Sequence, residues 1–160
     1  MTTEIPDTLE LLETAIESAG DGPSMIVTDA LSVRQALEAR GVTLFGPDVA
    51  ESRLDELPRA ALAVVDGACA FPSAAVAVQL VGRLRDLHAD RVLVIASRDH
   101  GAHLGRQELI GLGFQRWASS LDPDGRRRWY EFDIAHYKVT PDWLNARHWA
   151  NPELWDKYRW

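Results

Sequence analysis

The chain has 160 residues, of which 46% are hydrophobic and 26% are charged, and its formal net charge is −7. This length is enough for a globular core that folds without a metal or a disulfide. The net negative charge argues against a general affinity for nucleic acid or for an anionic membrane surface. No apolar run approaches the ~20 residues that span a bilayer, and the acidic N-terminus lacks a signal-peptide pattern, so we expect a cytoplasmic protein.

The first part of the chain alternates helical and strand patterns. A helix is predicted from apolar residues spaced three or four apart, namely Ile5, Leu9, Leu12, Ile16 and Ala19. The short apolar runs 25–27 and 42–45 predict buried strands. Between them, Ser32 and Gln35 form a capping-box pattern that predicts a helix, and Gly41 suits its C-terminal end.

The middle of the chain continues this alternation. Asp48 with Glu51 could cap a short helix ending near Leu57. The runs 61–65 and 91–95 predict strands, and the helical spacing over 73–88 predicts the helix that joins them. Most of these strands show no hydrophobic alternation, which indicates a parallel sheet covered on both faces by helices.

The pattern changes after Ser97. A helix is predicted over 104–112, and the segments 114–117 and 129–134 flank the turn sequence of 122–125, which is typical of an antiparallel hairpin. The sequence therefore predicts an α/β fold, a three-layer Rossmann-like sandwich whose sheet is mostly parallel and carries a C-terminal antiparallel hairpin. We assign this domain to residues 1–135.

Residues 136–160 form a tryptophan-rich C-terminal extension, with short helical turns expected near Pro141 and Pro152. Its tryptophans either complete the domain's own core, contact a second subunit in a homodimer, or bind a separate ligand, because aromatic residues are enriched in binding hot spots. The residues proposed for an interaction surface are Trp143, Trp149, Trp155 and Trp160.

Acidic residues follow several predicted strands, where doubly wound sheets bind their ligands. Asp29, Asp48 and Asp66 are the candidates for cofactor binding, and Asp99 follows the last parallel strand. Clustered carboxylates could hold Mg²⁺ for phosphoryl chemistry, but aspartate is also common as a helix cap or turn residue at such junctions.

Three other features are candidate sites. His100 and His103 could ligate a metal, but a lone His-x-x-His without a carboxylate partner at a known spacing favours a helix cap with solvated histidines, so no metal site is assigned. The run 126–128, three arginines in the predicted turn, could bind phosphate, although such residues are more often simply solvated. The single cysteine, Cys69, lies in an apolar run, which favours a small buried side chain over a reactive thiol.

Two parts of the chain resemble class I S-adenosylmethionine-dependent methyltransferases. One is Val64-Val65-Asp66 followed by a long helix and 91–95, and the other is Leu112-Gly113-Phe114 leading into the hairpin that ends at 129–134. In that family the late hairpin supplies the antiparallel strand of the sheet. The resemblance covers about half of the chain and implies S-adenosylmethionine as the cofactor, with Asp48 in the position of the ribose-binding acid.

The family's glycine-rich cofactor loop follows its first strand, and the corresponding stretch here, 28–32, contains no glycine. Whether S-adenosylmethionine is the cofactor therefore stays open.

The chain also resembles a family of uncharacterised proteobacterial proteins, which implies no activity. In a phosphoacceptor receiver domain, Asp66 and Ser97 would match the acceptor and hydroxyl residues, but the paired acids and the lysine of that family are not evident.

Three hypotheses for function follow. The first is an uncharacterised methyltransferase-like protein without catalysis that acts in binding or interaction. The second is an S-adenosylmethionine-dependent methyltransferase with an atypical cofactor loop. The third is a Mg²⁺-dependent phosphoryl-transfer or receiver-like protein. The sequence alone leaves open whether the protein is an enzyme.

Overall fold

A computed structural model describes residues 4–97 and 103–137. The helices are α1 (Thr8–Ser18), α2 (Leu31–Leu37), α3 (Val49–Ser52), α4 (Ala74–Arg83), α5 (Arg106–Gly111) and α6 (Ile134–Tyr137). The strands are β1 (Ser24–Val27), β2 (Thr43–Phe45), β3 (Ala60–Asp66), β4 (Ala89–Ile95), β5 (Gln115–Asp122) and β6 (Gly125–Asp133). A π-helical turn, Leu84–His88, continues α4 toward β4.

The six strands form one mixed sheet in the order β2-β1-β3-β4-β6-β5. Strands β1 to β4 are parallel, and β6 pairs antiparallel with both β4 and β5. The predicted α/β class, with a mostly parallel sheet and a C-terminal antiparallel hairpin, is therefore confirmed. The chain runs from β1 to β2 on one side and then returns to β3 on the other, so the strand order reverses between β1 and β3.

Both faces of the sheet are covered by helices. On one face, α1 and α2 pack over a buried cluster that includes Ile26, Leu62 and Val64. On the other face, α3, α4 and α5 pack over a cluster that includes Ala63 and Val65. Successive residues of β3 are thus buried on opposite faces, which is why its sequence shows no hydrophobic alternation.

The helix starts differ from the prediction at Ser32 and at Asp48, whose side chain caps no N–H of α3. Helix α1 begins after Asp7, which forms a reciprocal capping box with Glu10. The capping box predicted at Ser32 is wrong, because α2 begins one residue earlier and its N-cap, Ala30, offers no side-chain hydrogen bond. The predicted C-terminal role of Gly41 is confirmed, since it adopts a left-handed conformation with φ of 71°.

The hairpin is longer than the sequence pattern predicts. Strand β6 begins at Gly125, whose φ of 124° favours glycine, so the three arginines of 126–128 belong to the strand and not to the turn. Alternate side chains of β6 enter the two cores: Trp129 packs on the α1 face, and Tyr130 packs on the opposite face. Thr8 fastens α1 to the hairpin, because its hydroxyl donates to the Asp122 carboxylate over 2.6 Å.

Several predictions fall on residues 98–102 and 138–160, outside the described residues. They concern Asp99, His100 and the tryptophan-rich extension with its helical turns. Within the part of the chain that the structure describes, no helix is long and apolar enough to cross a membrane.

Candidate functional site

The carboxyl ends of the parallel strands meet at one edge of the sheet, and the strand order reverses between β1 and β3. Ligands of doubly wound folds bind in the crevice that forms at such a reversal. Here Thr28 and Asp29 follow β1, Asp66 ends β3, and Gly67 begins the next loop. The contacts of these residues determine what the crevice can accept.

Both oxygens of the Asp66 carboxylate accept hydrogen bonds from within the chain. One oxygen, Oδ1, lies 2.7 Å from Nη2 of Arg127 and accepts the backbone N–H of Ala68 over 3.0 Å. The other, Oδ2, accepts the Thr28 hydroxyl over 3.2 Å. The side chains of Arg127 and Asp66 are only 12% and 10% exposed, so this is a buried, hydrogen-bonded ion pair that joins β6 to β3 across the end of β4.

Asp29 also faces the loop that follows β3. Its Oδ2 accepts the backbone N–H of Ala70 over 3.2 Å. The Thr28 hydroxyl accepts the N–H of Ala30 over 3.1 Å, and Arg34 donates to the Thr28 carbonyl over 3.2 Å. The Asp29–Ala70 bond ties the loop after β1 to the loop after β3, and the other two bonds hold the loop after β1 against α2.

Asp48 lies apart from this network. Its side chain is exposed at the start of α3 and caps no helical N–H. The structure therefore brings Asp29 and Asp66 to one loop and leaves Asp48 without a hydrogen bond to either. The assignment of all three to cofactor binding stays a prediction. Among the residues described, no three His, Cys, Asp or Glu side chains are grouped as a metal site would require.

Cys69 lies in the same loop, and the predicted buried environment is confirmed. Its Sγ is 3.9 Å from the Val27 carbonyl oxygen. Burial, followed by the negative charges of Asp66 and Asp29, raises the pKa of the thiol from 9.0 to about 12. The side chain is therefore protonated at neutral pH and is a poor nucleophile.

Gly67 allows the ends of β3 and β4 to approach closely. Its N–H donates to the Ile95 carbonyl over 2.8 Å. A Cβ at this position would lie 2.5 Å from that carbonyl oxygen and 3.1 Å from the backbone nitrogen of Ser97. Because these are backbone atoms, a side chain could be accommodated only if the strands moved apart.

A cavity of about 310 Å³ lies farther along the same edge, beside the end of β4. The residues that line it are Ala96, Ser97, Arg106, Arg126, Arg128 and Tyr130. Sequence reasoning missed this cavity because it placed the arginines in an exposed turn. The sequence does contain a signal for this arrangement, which is the alternation of side chains along a strand. If the strand begins at Gly125, residues 126, 128 and 130 lie on one face of the sheet, and residues 127 and 129 lie on the other.

Solved structures of magnesium protoporphyrin IX methyltransferase (ChlM) from Synechocystis PCC 6803 are similar to this chain. The structure with bound SAM matches at 12% identity with a TM-score of 0.49 and covers 78% of this chain and 76% of that one. The structure with bound SAH matches at 11% identity with a TM-score of 0.51 and covers 78% and 80%. At this identity the second likeness shows the fold alone, which is methyltransferase-like, as the sequence resemblance implied.

No curated protein matches the sequence. A family model does match, over residues 6–160, which is nearly the whole chain, and it confirms the prediction of an uncharacterised family. The chain belongs to a family of unknown function, DUF6231.

Proposed function

We propose that this protein is a non-catalytic binding protein that has a methyltransferase-like fold and does not use S-adenosylmethionine. The observation that carries this proposal is the buried ion pair between Arg127 and Asp66 at the reversal of strand order. The pair lies at the edge of the sheet where ligands of doubly wound folds bind.

Displacing this pair would be costly. A ligand that took the Asp66 carboxylate for itself would leave the Arg127 guanidinium buried without a counter-charge, and breaking a buried pair in this way costs about 3–5 kcal/mol. The loop 28–32 supports the same conclusion, because it has no glycine at which the backbone could approach a cofactor closely.

The test is thermal unfolding of the wild-type chain with S-adenosylmethionine and S-adenosylhomocysteine, followed by calorimetric titration. We expect no saturable rise in Tm, since only a ligand that binds the native state stabilises it. A saturable rise with either compound would contradict the proposal and would lead directly to methyl-acceptor assays.

Two variants sharpen this test. Arg127→Gln removes the charge that pairs with Asp66, whereas Arg116→Gln removes an exposed charge from the neighbouring strand. Among the described residues Arg116 bonds only Ser119, over 2.6 Å. If the ion pair is what closes the crevice, any binding of S-adenosylhomocysteine will be gained by Arg127→Gln and not by Arg116→Gln.

The second candidate function is a methyltransferase with an atypical cofactor loop. It is favoured because Asp29 and Asp66 both accept backbone N–H groups of the loop after β3, beside the point where the strand order reverses. The same titration separates it from the first proposal. The third hypothesis, Mg²⁺-dependent phosphoryl transfer, gains no support from the described residues, which hold no group of three candidate ligands.

A binding protein also needs a surface for its partner. Trp143, Trp149, Trp155 and Trp160, which lie outside the described residues, are proposed for that surface, either against a second copy in a homodimer or against another ligand. Light scattering after size-exclusion chromatography of the full chain measures the first alternative. A cytoplasmic location belongs to the same proposal and is tested by cell fractionation.

A further inference from the structure

We infer that the cavity beside the end of β4 binds the phosphate group of a small molecule. The inference goes beyond the proposed function, because this cavity is distinct from the crevice that Arg127 and Asp66 occupy. It rests on the side chains that line the cavity, on the lack of partners for its arginines among the described residues, and on the size of the space.

Three arginines from two elements line this cavity. Arg126 and Arg128 come from one face of β6, and Arg106 comes from the start of α5. Tyr130 lines the cavity beside them with a side chain that is almost fully buried. Its hydroxyl makes no hydrogen bond with another described residue, so it can donate to a ligand.

Most arginines elsewhere in the described chain have acidic partners, although Arg34 and Arg116 bond only uncharged oxygens there. Arg59 pairs with Asp90 at 2.8 Å, and Arg83 pairs with Asp55 at 3.0 Å. In residues 4–97 and 103–137, by contrast, the three cavity arginines make no ion pair and no side-chain hydrogen bond. In a chain of net charge −7 a group of three cations without a described partner favours a site that an anion completes.

The donors fit a phosphate group better than a carboxylate. A guanidinium presents two parallel N–H groups to an anion, and phosphate is recognised in this bidentate manner. A phosphate monoester offers three oxygens to three guanidinium groups and carries up to two negative charges, whereas a carboxylate offers two oxygens and one charge.

The size of the cavity favours a small molecule over a nucleic acid. About 310 Å³ lies at the lower end of the range of roughly 300–1,000 Å³ for small-molecule sites. Nucleic-acid binding needs an extended basic surface that neutralises many phosphates, which the net charge of this chain opposes.

The test is calorimetric titration of the full chain with inorganic phosphate, pyrophosphate and glycerol 3-phosphate at low ionic strength. We expect saturable binding of at least one probe, with one molecule bound per chain. Arg126→Gln, Arg128→Gln and Arg106→Gln should each weaken that binding about tenfold or more, because each removes a charge-assisted contact. The matched control, Arg116→Gln, removes the same charge from the same hairpin and should change affinity less than about twofold.

Three results would overturn the inference. One is the absence of binding for all three probes at concentrations up to about 10 mM, which is about ten times the Kd of a weak, millimolar site. Another is an equal loss of affinity in Arg116→Gln, which would mean that the probes sense only general charge. The third is tighter binding of a single-stranded oligonucleotide than of pyrophosphate, with a steep dependence on salt. None of these results depends on whether S-adenosylmethionine binds.

Discussion

The crevice between β1 and β3 and the cavity beside β4 lie on the same edge of one sheet, and both receive arginines from β6. In the crevice, Arg127 forms an ion pair with Asp66 of the same chain. In the cavity, Arg126 and Arg128 meet no described partner, although they are the immediate neighbours of Arg127 along the chain. The strand's alternation alone sends these three equivalent side chains to two different environments.

This difference shows how a ligand site can be closed in one place and left open in another without a change of fold. The Arg127–Asp66 pair contributes to the structure because both charges are buried and satisfied. The cavity arginines are exposed at the surface and contribute little to folding. We therefore expect substitutions in the crevice to change stability, and substitutions in the cavity to change binding.

The largest expected effect is that of Asp66→Ala. It leaves the buried guanidinium of Arg127 unpaired and removes the acceptor for Thr28 and Ala68, so the free energy of unfolding should fall by about 3–5 kcal/mol in urea titrations. Asp66→Asn keeps the shape of the side chain and part of its hydrogen bonding. This variant is used for the same test if Asp66→Ala does not fold.

The matched control for that prediction is Asp90→Ala. Asp90 also pairs with an arginine at 2.8 Å, but the side chains of Arg59 and Asp90 are 72% and 55% exposed. An exposed pair is worth about 0–1 kcal/mol. Equal losses in Asp66→Ala and Asp90→Ala would show that burial does not distinguish the crevice pair.

The next effect concerns the reactivity of Cys69. Burial and two nearby carboxylates raise the pKa of this thiol to about 12, which lowers its thiolate fraction at pH 8 about a thousandfold. Because a thiolate of higher pKa is also more nucleophilic, alkylation by iodoacetamide at pH 8 should be about a hundredfold slower in the native chain than in urea. The raised pKa also favours the native state below pH 9, and this contribution is lost as the pH rises from 9 to about 12. Cys69→Ala should lack that part of the pH dependence.

If the native chain is alkylated about as fast as the chain in urea, the prediction that Cys69 is buried and protonated is wrong. Asp66→Asn provides a further check, because it removes one of the negative charges that raise the thiol pKa. At high pH it should react faster than the wild type.

Gly67→Ala should have an intermediate effect on stability. The new Cβ would lie 2.5 Å from the Ile95 carbonyl oxygen, so the ends of β3 and β4 would have to separate. We expect a loss of about 1–3 kcal/mol in urea titrations. The control is Gly82→Ala within α4, where a Cβ would meet nothing within 4 Å and where alanine should stabilise the helix by up to about 1 kcal/mol.

The fold could be predicted from the sequence because its strands carry strong local patterns. The apolar runs around Ile26, Val64 and Leu93 are buried on both faces, and the turn at 122–125 contains the residues that a hairpin needs. The capping box at Ser32 failed because the helix begins one residue earlier, at Leu31, and has no side-chain cap. Patterns within about ten residues therefore gave the order and type of the elements.

The two sites could not be predicted in the same way. The contact between Asp66 and Arg127 joins residues 61 positions apart and depends on β6 lying next to β4, which no local pattern shows. Three consecutive charged residues are also untypical of a strand, so the start of β6 was placed too late in the chain. If the strand is started at Gly125, the alternation of its side chains places Arg126 and Arg128 on the face of the cavity and Arg127 on the face of Asp66.

The smallest expected effect is on the stability of the cavity variants. Arg128→Gln removes one of three neighbouring positive charges that have no described partner, so it should leave the free energy of unfolding unchanged or raise it by up to about 0.5 kcal/mol. Any gain should shrink as ionic strength rises from 0.1 M to 1 M, because the screening length falls from about 10 Å to about 3 Å. Urea titrations at the two salt concentrations measure both quantities. A loss of more than about 1 kcal/mol would mean that Arg128 supports the structure as Arg127 does, and the contrast between the open and the closed site would disappear.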